Sequence, residues 1–160
     1  MISIIIADYE NTQHQQAILE LLDGYASSNA GGNKPLSGYV RENLVAKLKT
    51  YPGAFSVLAH VDDNPAGLVN CFETLSTFYC KPLINIHDVV THPDYRRQGI
   101  ASEMLQKVEH VARSRGCCKL TLEVLEGNTP AREAYSKYGF KGYQLDPEYG
   151  HALFWEKPLD

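Results

Sequence analysis

The sequence has few cysteines and no surplus of positive charge. Its four cysteines include an adjacent pair, Cys117 and Cys118, and none has the C-x-x-C spacing of a zinc site. Fifteen Lys and Arg against nineteen Asp and Glu give a net charge of −4. This balance disfavours a protein that binds nucleic acid mainly by neutralising phosphates. We therefore expect reduced thiols, no metal site and no nucleic-acid partner.

Long hydrophobic runs are also missing. No apolar run approaches the roughly 18 residues that suggest a membrane span. The apolar start lacks a basic leader and soon meets Asp8, which argues against a signal peptide. We expect no membrane partner and a cytoplasmic location. The chain has 160 residues, 44% of them hydrophobic. Because domains commonly hold about 100–200 residues, we predict a single domain over residues 1–160.

Apolar spacing and turn residues predict an α/β fold with a mixed central sheet. The predicted order is β-α-α-β-β-β-α-β-α-β-β, which gives about seven strands flanked by about four helices. Thr129 and Pro130 are interpreted as the cap and the first residue of the last helix. Strands are predicted near 1–7, 54–61, 66–74, 83–91, 118–124, 140–144 and 151–156, and helices near 12–26, 40–48, 100–115 and 129–138.

The segment Asp94–Ser102 joins a predicted strand directly to the best-defined predicted helix. The first N–H groups of a helix lack intrahelical partners and favour a bound anion. Gly99 would let the backbone approach a pyrophosphate closely, and Arg96 and Arg97 add positive charge. An ordinary strand-to-helix turn is the alternative. Other phosphate motifs do not fit, because the chain has no G-x-G-x-x-G and Gly31–Lys34 lacks the P-loop spacing.

Two segments together resemble the GNAT superfamily of acetyl-CoA-dependent N-acetyltransferases. Arg96–Ala101 matches the family's [RQ]-x-x-G-x-[GA] pyrophosphate loop. Asn128–Phe140 is similar to the family's N-x-x-A-x-x-x-Y-x-x-x-G-F segment, at the expected distance downstream. Within the family, the run His87–Thr91 looks closest to small-amine acetyltransferases of the spermidine/spermine type and to Hpa-type enzymes.

The resemblance implies a single-domain GNAT-like fold whose central strand splays from the next one and pairs with the pantetheine arm of acetyl-CoA. It places Asn128 near that arm or near the carbonyls of the following strand. Tyr135 would lie beside the acetyl sulfur, where its hydroxyl could protonate the leaving thiolate. The implied cofactor-binding residues are Val89, Val90, Thr91, Arg96, Arg97, Gln98, Gly99, Ile100, Ala101, Ser102, Asn128, Ala131 and Tyr135.

The catalytic candidates are Tyr135 as acid and His87 or Asp88 as base. An alkyl ammonium has a pKa of about 10.4, so a proton must leave before the amine can attack. Small-amine members of the family commonly have Glu at the position of His87, so this chain departs from their pattern. Adjacent strand residues face opposite ways, so at most one of the two should reach the substrate unless a bulge intervenes. A structural hydrogen-bonding role is the alternative for each.

These observations favour transfer of an acetyl group to a small or lysine-like primary amine by direct attack on the thioester, with coenzyme A as product. Glu73, Asp146 and Glu148 are candidate acids around the amine, or else solvated surface charges. The alternatives are an acyl-CoA-binding sensor without transfer and a protein acetyltransferase acting on lysine or an N-terminus. The resemblance also allows a homodimer.

Overall fold

A computed structural model describes residues 1–159 and contains a mixed five-stranded sheet. Its strands lie in the order β1-β2-β3-β4-β5, with antiparallel pairing between successive strands from β1 to β4 and parallel pairing of β4 with β5. Short turns join β2 to β3 and β3 to β4, whereas two helices lie between β1 and β2 in the chain. The parallel pair of β4 and β5 needs a helical crossover. The strands are β1 Ile2–Ile6, β2 Ala54–Val61, β3 Asn64–Ser76, β4 Lys81–Thr91 and β5 Leu120–Leu122.

Four α-helices accompany the sheet, close to their predicted positions. Asn11 caps the start of the first helix, because its side chain accepts hydrogen bonds from the N–H groups of Gln13 and His14. Ser37 caps the second through the N–H of Val40. The helices are α1 Thr12–Ala26, α2 Gly38–Thr50, α3 Ile100–Ser114 and α4 Thr129–Tyr138.

Helices cover both faces of the sheet. On one face, α1 and α2 bury a cluster that includes Ile18, Leu48, Leu58 and Leu68. On the other face, α3 packs so closely that a Cβ on Gly67 would lie 2.7 Å from the Met104 Cε atom. Because both faces are covered, the central strands are apolar almost throughout, which hides the usual alternation of buried and exposed residues.

The described residues form two compact units. The first comprises Met1–Leu122, with the sheet and helices α1 to α3, and the second begins at Glu123 and contains α4. In the second unit, the rings of Tyr135 and Tyr138 both contact Phe140, with ring centroids 6.0 Å apart in each pair. The prediction of a single domain over residues 1–160 is not tested by this division.

Of the roughly seven predicted strands, the last two in the chain are wrong. Residues 140–144 and 151–156 are not strands, and the backbone hydrogen bond recorded between them runs from the N–H of Ala152 to the carbonyl of Tyr143, at 2.9 Å. One such bond does not make a ladder. The prediction that Thr129 caps the last helix is also wrong. The cap is Asn128, whose side chain accepts from the N–H of Ala131 at 3.4 Å.

Candidate active site

The turn between β4 and α3 has a backbone shape that exposes N–H groups. Arg97 has a φ of +60° and Gly99 a φ of +82°, both in the left-handed region. Gly99 stands at the cap position of α3, and among the described residues no side chain caps this helix. A Cβ on Gly99 would meet nothing within 4 Å. The first N–H groups of α3 therefore have no capping side chain, and Arg96 and Arg97 shortly precede them in the chain, a combination that suits an anion.

The edge of β4 next to this turn is open on one side. β5 pairs with β4 only from Ile84 to Ile86, whereas β3 pairs with it as far as Thr91. Val89, Val90 and Thr91 thus have strand partners on the β3 side but none on the β5 side within the described residues. The family resemblance implies a splay here, for a strand that hydrogen-bonds a ligand's amide groups, and the short pairing of β5 is compatible with it.

A β-bulge lies at the two candidate bases. Asn70 pairs with Asp88 and Cys71 with Ile86, so His87 is the extra residue. A bulge bends its strand and redirects side chains that would otherwise alternate. His87 and Asp88 consequently line the same cavity. The sequence allowed both side chains to reach a substrate only if a bulge intervened, and this bulge meets that condition.

That cavity has a volume of about 380 Å³ and lies between α1, α2 and the sheet. Asp88 and Asn70 supply carboxylate and amide groups at the sheet end. The connection between α1 and α2 contributes Gly31 and Leu36. The cavity is lined by Leu22, Tyr25, Ala26, Gly31, Leu36, Val40, Leu44, Leu48, Asn70, Phe72, His87 and Asp88.

A row of polar side chains crosses the sheet to Asp88. Ser56 pairs with Asn70 across β2 and β3, and Asn70 pairs with Asp88 across β3 and β4. Asn70 Nδ2 donates to Asp88 Oδ2 at 2.9 Å, and Ser56 Oγ donates to Asn70 Oδ1 at 2.6 Å. Ser56 and Asn70 are 0% and 3% exposed, so the bond between them is shielded from water, whereas the bond from Asn70 to Asp88 is partly buried.

The direction of this row follows from the donors available. The hydroxyl hydrogen of Ser56 is used on Asn70, so Tyr9, whose hydroxyl lies 2.8 Å from Ser56 Oγ, must donate to it. Burial raises the pKa of Tyr9 and favours its protonated, donating form. In each hydrogen bond of the row, the donated hydrogen therefore points toward Asp88.

A tyrosine of α1 also lies near Asp88. Burial, and then the negative charge of Asp88, raise the pKa of Tyr25, which keeps its hydroxyl protonated. This hydroxyl lies 3.5 Å from the carbonyl oxygen of Ala30. Because Tyr25 lines the cavity, its protonated hydroxyl adds a polar group to a wall that is otherwise largely apolar.

The remaining predicted site residues lie in the second unit. Tyr135 lies on α4, is partly buried and contacts the ring of Phe140 edge-on. Asn128 uses its side-chain oxygen to cap α4 at Ala131. Because the second unit is described by itself, the roles of Asn128, Ala131 and Tyr135 stay predictions.

The candidate acids have partners of their own. Glu73 forms a salt bridge of 2.9 Å with Arg115, and Asp146 accepts a hydrogen bond from the N–H of Glu148 at 3.0 Å. Glu73 is not among the residues lining the cavity, which leaves Asp88 as its carboxylate. Burial raises the pKa of the Cys117 thiol, which disfavours its ionised form.

Sequence reasoning missed Tyr9, Ser56 and Asn70. For Ser56 and Asn70 the signal was a single polar residue inside an otherwise apolar stretch, Ala54–Ala59 of β2 and Ala66–Cys71 of β3. The pattern does not show that the two polar residues pair with each other, because that depends on strand register.

Comparison with known proteins identifies the family. The model of the Acetyltransferase (GNAT) family matches residues 18–140, more than half of the chain and across both units. The chain therefore belongs to the GNAT acetyltransferases, as the two motifs indicated, and its α/β fold is that of the family.

Curated relatives match over shorter stretches. Thialysine N-ε-acetyltransferase of Bos taurus is 41% identical over 56 residues, which covers 35% of this chain and 33% of that protein. Streptothricin acetyltransferase of Streptomyces lavendulae is 34% identical over 83 residues, covering 47% of this chain and 44% of that protein. The chain thus spans a third to less than half of the length of these relatives.

Solved structures agree in fold along nearly the whole chain. A probable acetyltransferase superimposes with a TM-score of 0.80 at 20% identity, covering 98% of this chain and 99% of the other. An aminoglycoside acetyltransferase from an uncultured soil metagenomic sample has a TM-score of 0.79 at 13% identity, covering 99% and 97%. At such identities the likeness concerns the fold alone. Among the described residues, no helix is long and apolar enough to cross a membrane.

Proposed function

We propose that the protein is an N-acetyltransferase that moves the acetyl group of acetyl-CoA directly to a small primary amine. The observation that carries this proposal is the end of β4 without pairing to β5, which leads through a left-handed turn into an α3 N-terminus without a side-chain cap. It occurs in a chain whose family uses acetyl-CoA as acyl donor.

The residues of this turn fit the anionic part of acetyl-CoA. N–H groups of Ile100, Ala101 and Ser102, together with Arg96 and Arg97, would hold the pyrophosphate, and the space beside Gly99 leaves room for it. Gln98 Nε2 donates to the carbonyl of Asp94 at 3.4 Å, which braces the turn. Val89, Val90 and Thr91 would pair with the pantetheine arm. Acetyl-CoA supplies the acetyl group.

Asp88 is the base that the geometry favours. Its carboxylate faces the cavity and is oriented by Asn70, so it can bind an ammonium and accept its proton. His87 lines the same cavity but contacts Phe72 edge-on, with ring centroids 5.7 Å apart, and is exposed. We expect Asp88→Asn to lower kcat/KM for the amine far more than His87→Asn does.

Tyr135 is proposed as the acid that protonates the leaving thiolate. The Tyr135→Phe variant should lower kcat about 100-fold, at the lower end of what a general acid contributes, and change acetyl-CoA affinity much less, because the ring is kept. Tyr138→Phe is the matched control, because Tyr138 lies on the same helix and also contacts Phe140. Full activity in Tyr135→Phe would remove Tyr135 from this role.

The experiment that tests transfer is thiol release from acetyl-CoA with a panel of polyamines, alkylamines, amino acids, lysine peptides and aminoglycosides. Transfer to small amines supports the proposal, and transfer confined to lysine peptides would make the protein a protein acetyltransferase. If acetyl-CoA binds and no amine is acetylated, the proposal of transfer fails in favour of an acyl-CoA sensor. A cytoplasmic location and a homodimer stay predictions.

A further inference from the structure

We infer that the cavity selects a primary amine that carries a single positive charge on an apolar carbon chain. This inference rests on the proposed function and narrows its substrate. It starts from the distribution of charge in the wall, in which Asp88 is the carboxylate and stands at one end. A cavity of about 380 Å³ is near the lower limit of ligand pockets, which run from about 300 to 1,000 Å³.

The helical wall of the cavity is largely apolar. It includes Leu22 of α1 and Val40, Leu44 and Leu48 of α2, and Phe72 of β3 adds an aromatic ring on the sheet side. If the ammonium group of the amine binds at Asp88, its carbon chain lies along these apolar side chains. The contact removes apolar surface from water, which stabilises the complex. A second ammonium on that chain would lose hydration without gaining a carboxylate, which is unfavourable.

The nearest acidic side chain of α1 does not serve the cavity. Asp23 forms a salt bridge with Arg41 at 2.8 Å and accepts a hydrogen bond from the N–H of Leu36 at 2.8 Å. Its carboxylate belongs to a separate cleft between α1 and α2. The anchor is therefore Asp88, held by Asn70, and its charge matches one ammonium.

The test compares amines of one length that differ only at the far end: hexylamine, 6-aminohexanol and 1,6-diaminohexane. We expect kcat/KM for thiol release to be at least tenfold higher with hexylamine than with the diamine, and intermediate with the amino alcohol. Equal or faster transfer to the diamine would overturn the selection inferred here while leaving acetyl transfer itself established.

A binding measurement separates this inference from the proposed function. Hexylamine is titrated calorimetrically into the protein and into Asp88→Asn, without acetyl-CoA. The inference is supported if hexylamine binding is lost in Asp88→Asn and if the diamine binds more weakly than hexylamine. This holds even if no amine is acetylated, a result that would contradict only the proposed function. If hexylamine does not bind, or binds Asp88→Asn equally well, the inference is overturned.

A designed change of selectivity gives a second, independent readout. Val40→Glu places a carboxylate on the apolar wall and should shift the kcat/KM ratio at least tenfold toward the diamine. Ala46→Glu adds the same charge to an exposed position of the same helix, outside the cavity, and should leave the ratio unchanged. A folded Val40→Glu protein with the ratio of the unsubstituted chain would contradict the assignment of the wall.

Discussion

Asn70 links the structural row of hydrogen bonds to the candidate base. Its two amide atoms are used on different partners, Oδ1 on Ser56 and Nδ2 on Asp88. A buried amide in this position fixes which way the carboxylate faces, because turning it would leave buried donors and acceptors unpaired at a cost of about 1–3 kcal/mol each. We therefore propose that Asn70 is a positioning residue that acts through Asp88.

We predict that Asn70→Ala lowers kcat/KM for the amine about tenfold in the otherwise unchanged protein, and hardly at all in Asp88→Asn. If Asn70 acts through Asp88, its effect disappears once the carboxylate is gone, whereas a purely structural role would reduce activity equally in both backgrounds. Steady-state kinetics on the four proteins of this double-mutant cycle measure the coupling.

Asn85→Ala is the control for that cycle. Asn85 also makes a cross-strand amide bond, from Nδ2 to Thr121 Oγ1 at 3.1 Å, but does not line the cavity. Its loss should lower the free energy of unfolding and leave transfer intact. If Asn70→Ala folds poorly, Tyr9→Phe replaces it in the cycle. This change is milder because it removes only the hydroxyl at the start of the row. Independent, multiplicative effects of Asn70→Ala and Asp88→Asn would contradict the positioning role.

At the scale of elements, the end of α3 near β4 is the proposed site of the acetyl-CoA pyrophosphate. The backbone turns into the left-handed region twice before the helix begins, at Arg97 and Gly99. This arrangement leaves the helix N-terminus accessible, since a capping side chain would otherwise occupy it.

We predict that Gly99→Ala weakens acetyl-CoA binding about tenfold, because its Cβ enters the space proposed for the pyrophosphate. Gly116→Ala is a matched control: Gly116 follows the other end of α3, has a φ of +70°, and a Cβ there would also meet nothing within 4 Å. Both changes should cost about 1–2 kcal/mol of stability through the left-handed backbone. Calorimetric titration should separate them, and equal acetyl-CoA affinities would contradict the site.

The sequence predicts elements best where local chemistry decides. Caps such as Asn11 and turns such as Asp62–Asp63 depend on neighbouring residues, and α1 and β2 have the bounds that the pattern predicted. The bulge at His87 and the row from Ser56 to Asp88 depend on how distant strands align, which no local pattern shows. The last two predicted strands fail for a similar reason, since alternation suggests a strand but pairing must complete it.

At the scale of the whole molecule, charge opposes the proposed ligand. The chain has a net charge of −4, and acetyl-CoA is an anion, so its binding must depend on local positive groups. We predict that Arg96→Gln and Arg97→Gln each weaken acetyl-CoA binding and reduce its sensitivity to salt. Arg113→Gln, near the far end of α3 and paired with Glu109, changes the net charge equally and should not. Equal effects of all three would mean that only overall charge matters.

The two units provide the last prediction, which concerns their cooperativity. A single domain over residues 1–160 should unfold in one calorimetric transition whose calorimetric and van't Hoff enthalpies agree. Acetyl-CoA at 100 times its Kd should stabilise the folded protein by about 2.7 kcal/mol. For a domain of this size that free energy should raise Tm by roughly 5–10 °C, and the whole transition should move together. Two transitions, only one of which responds to acetyl-CoA, would show that residues 1–122 and the segment from Glu123 onward fold as separate domains.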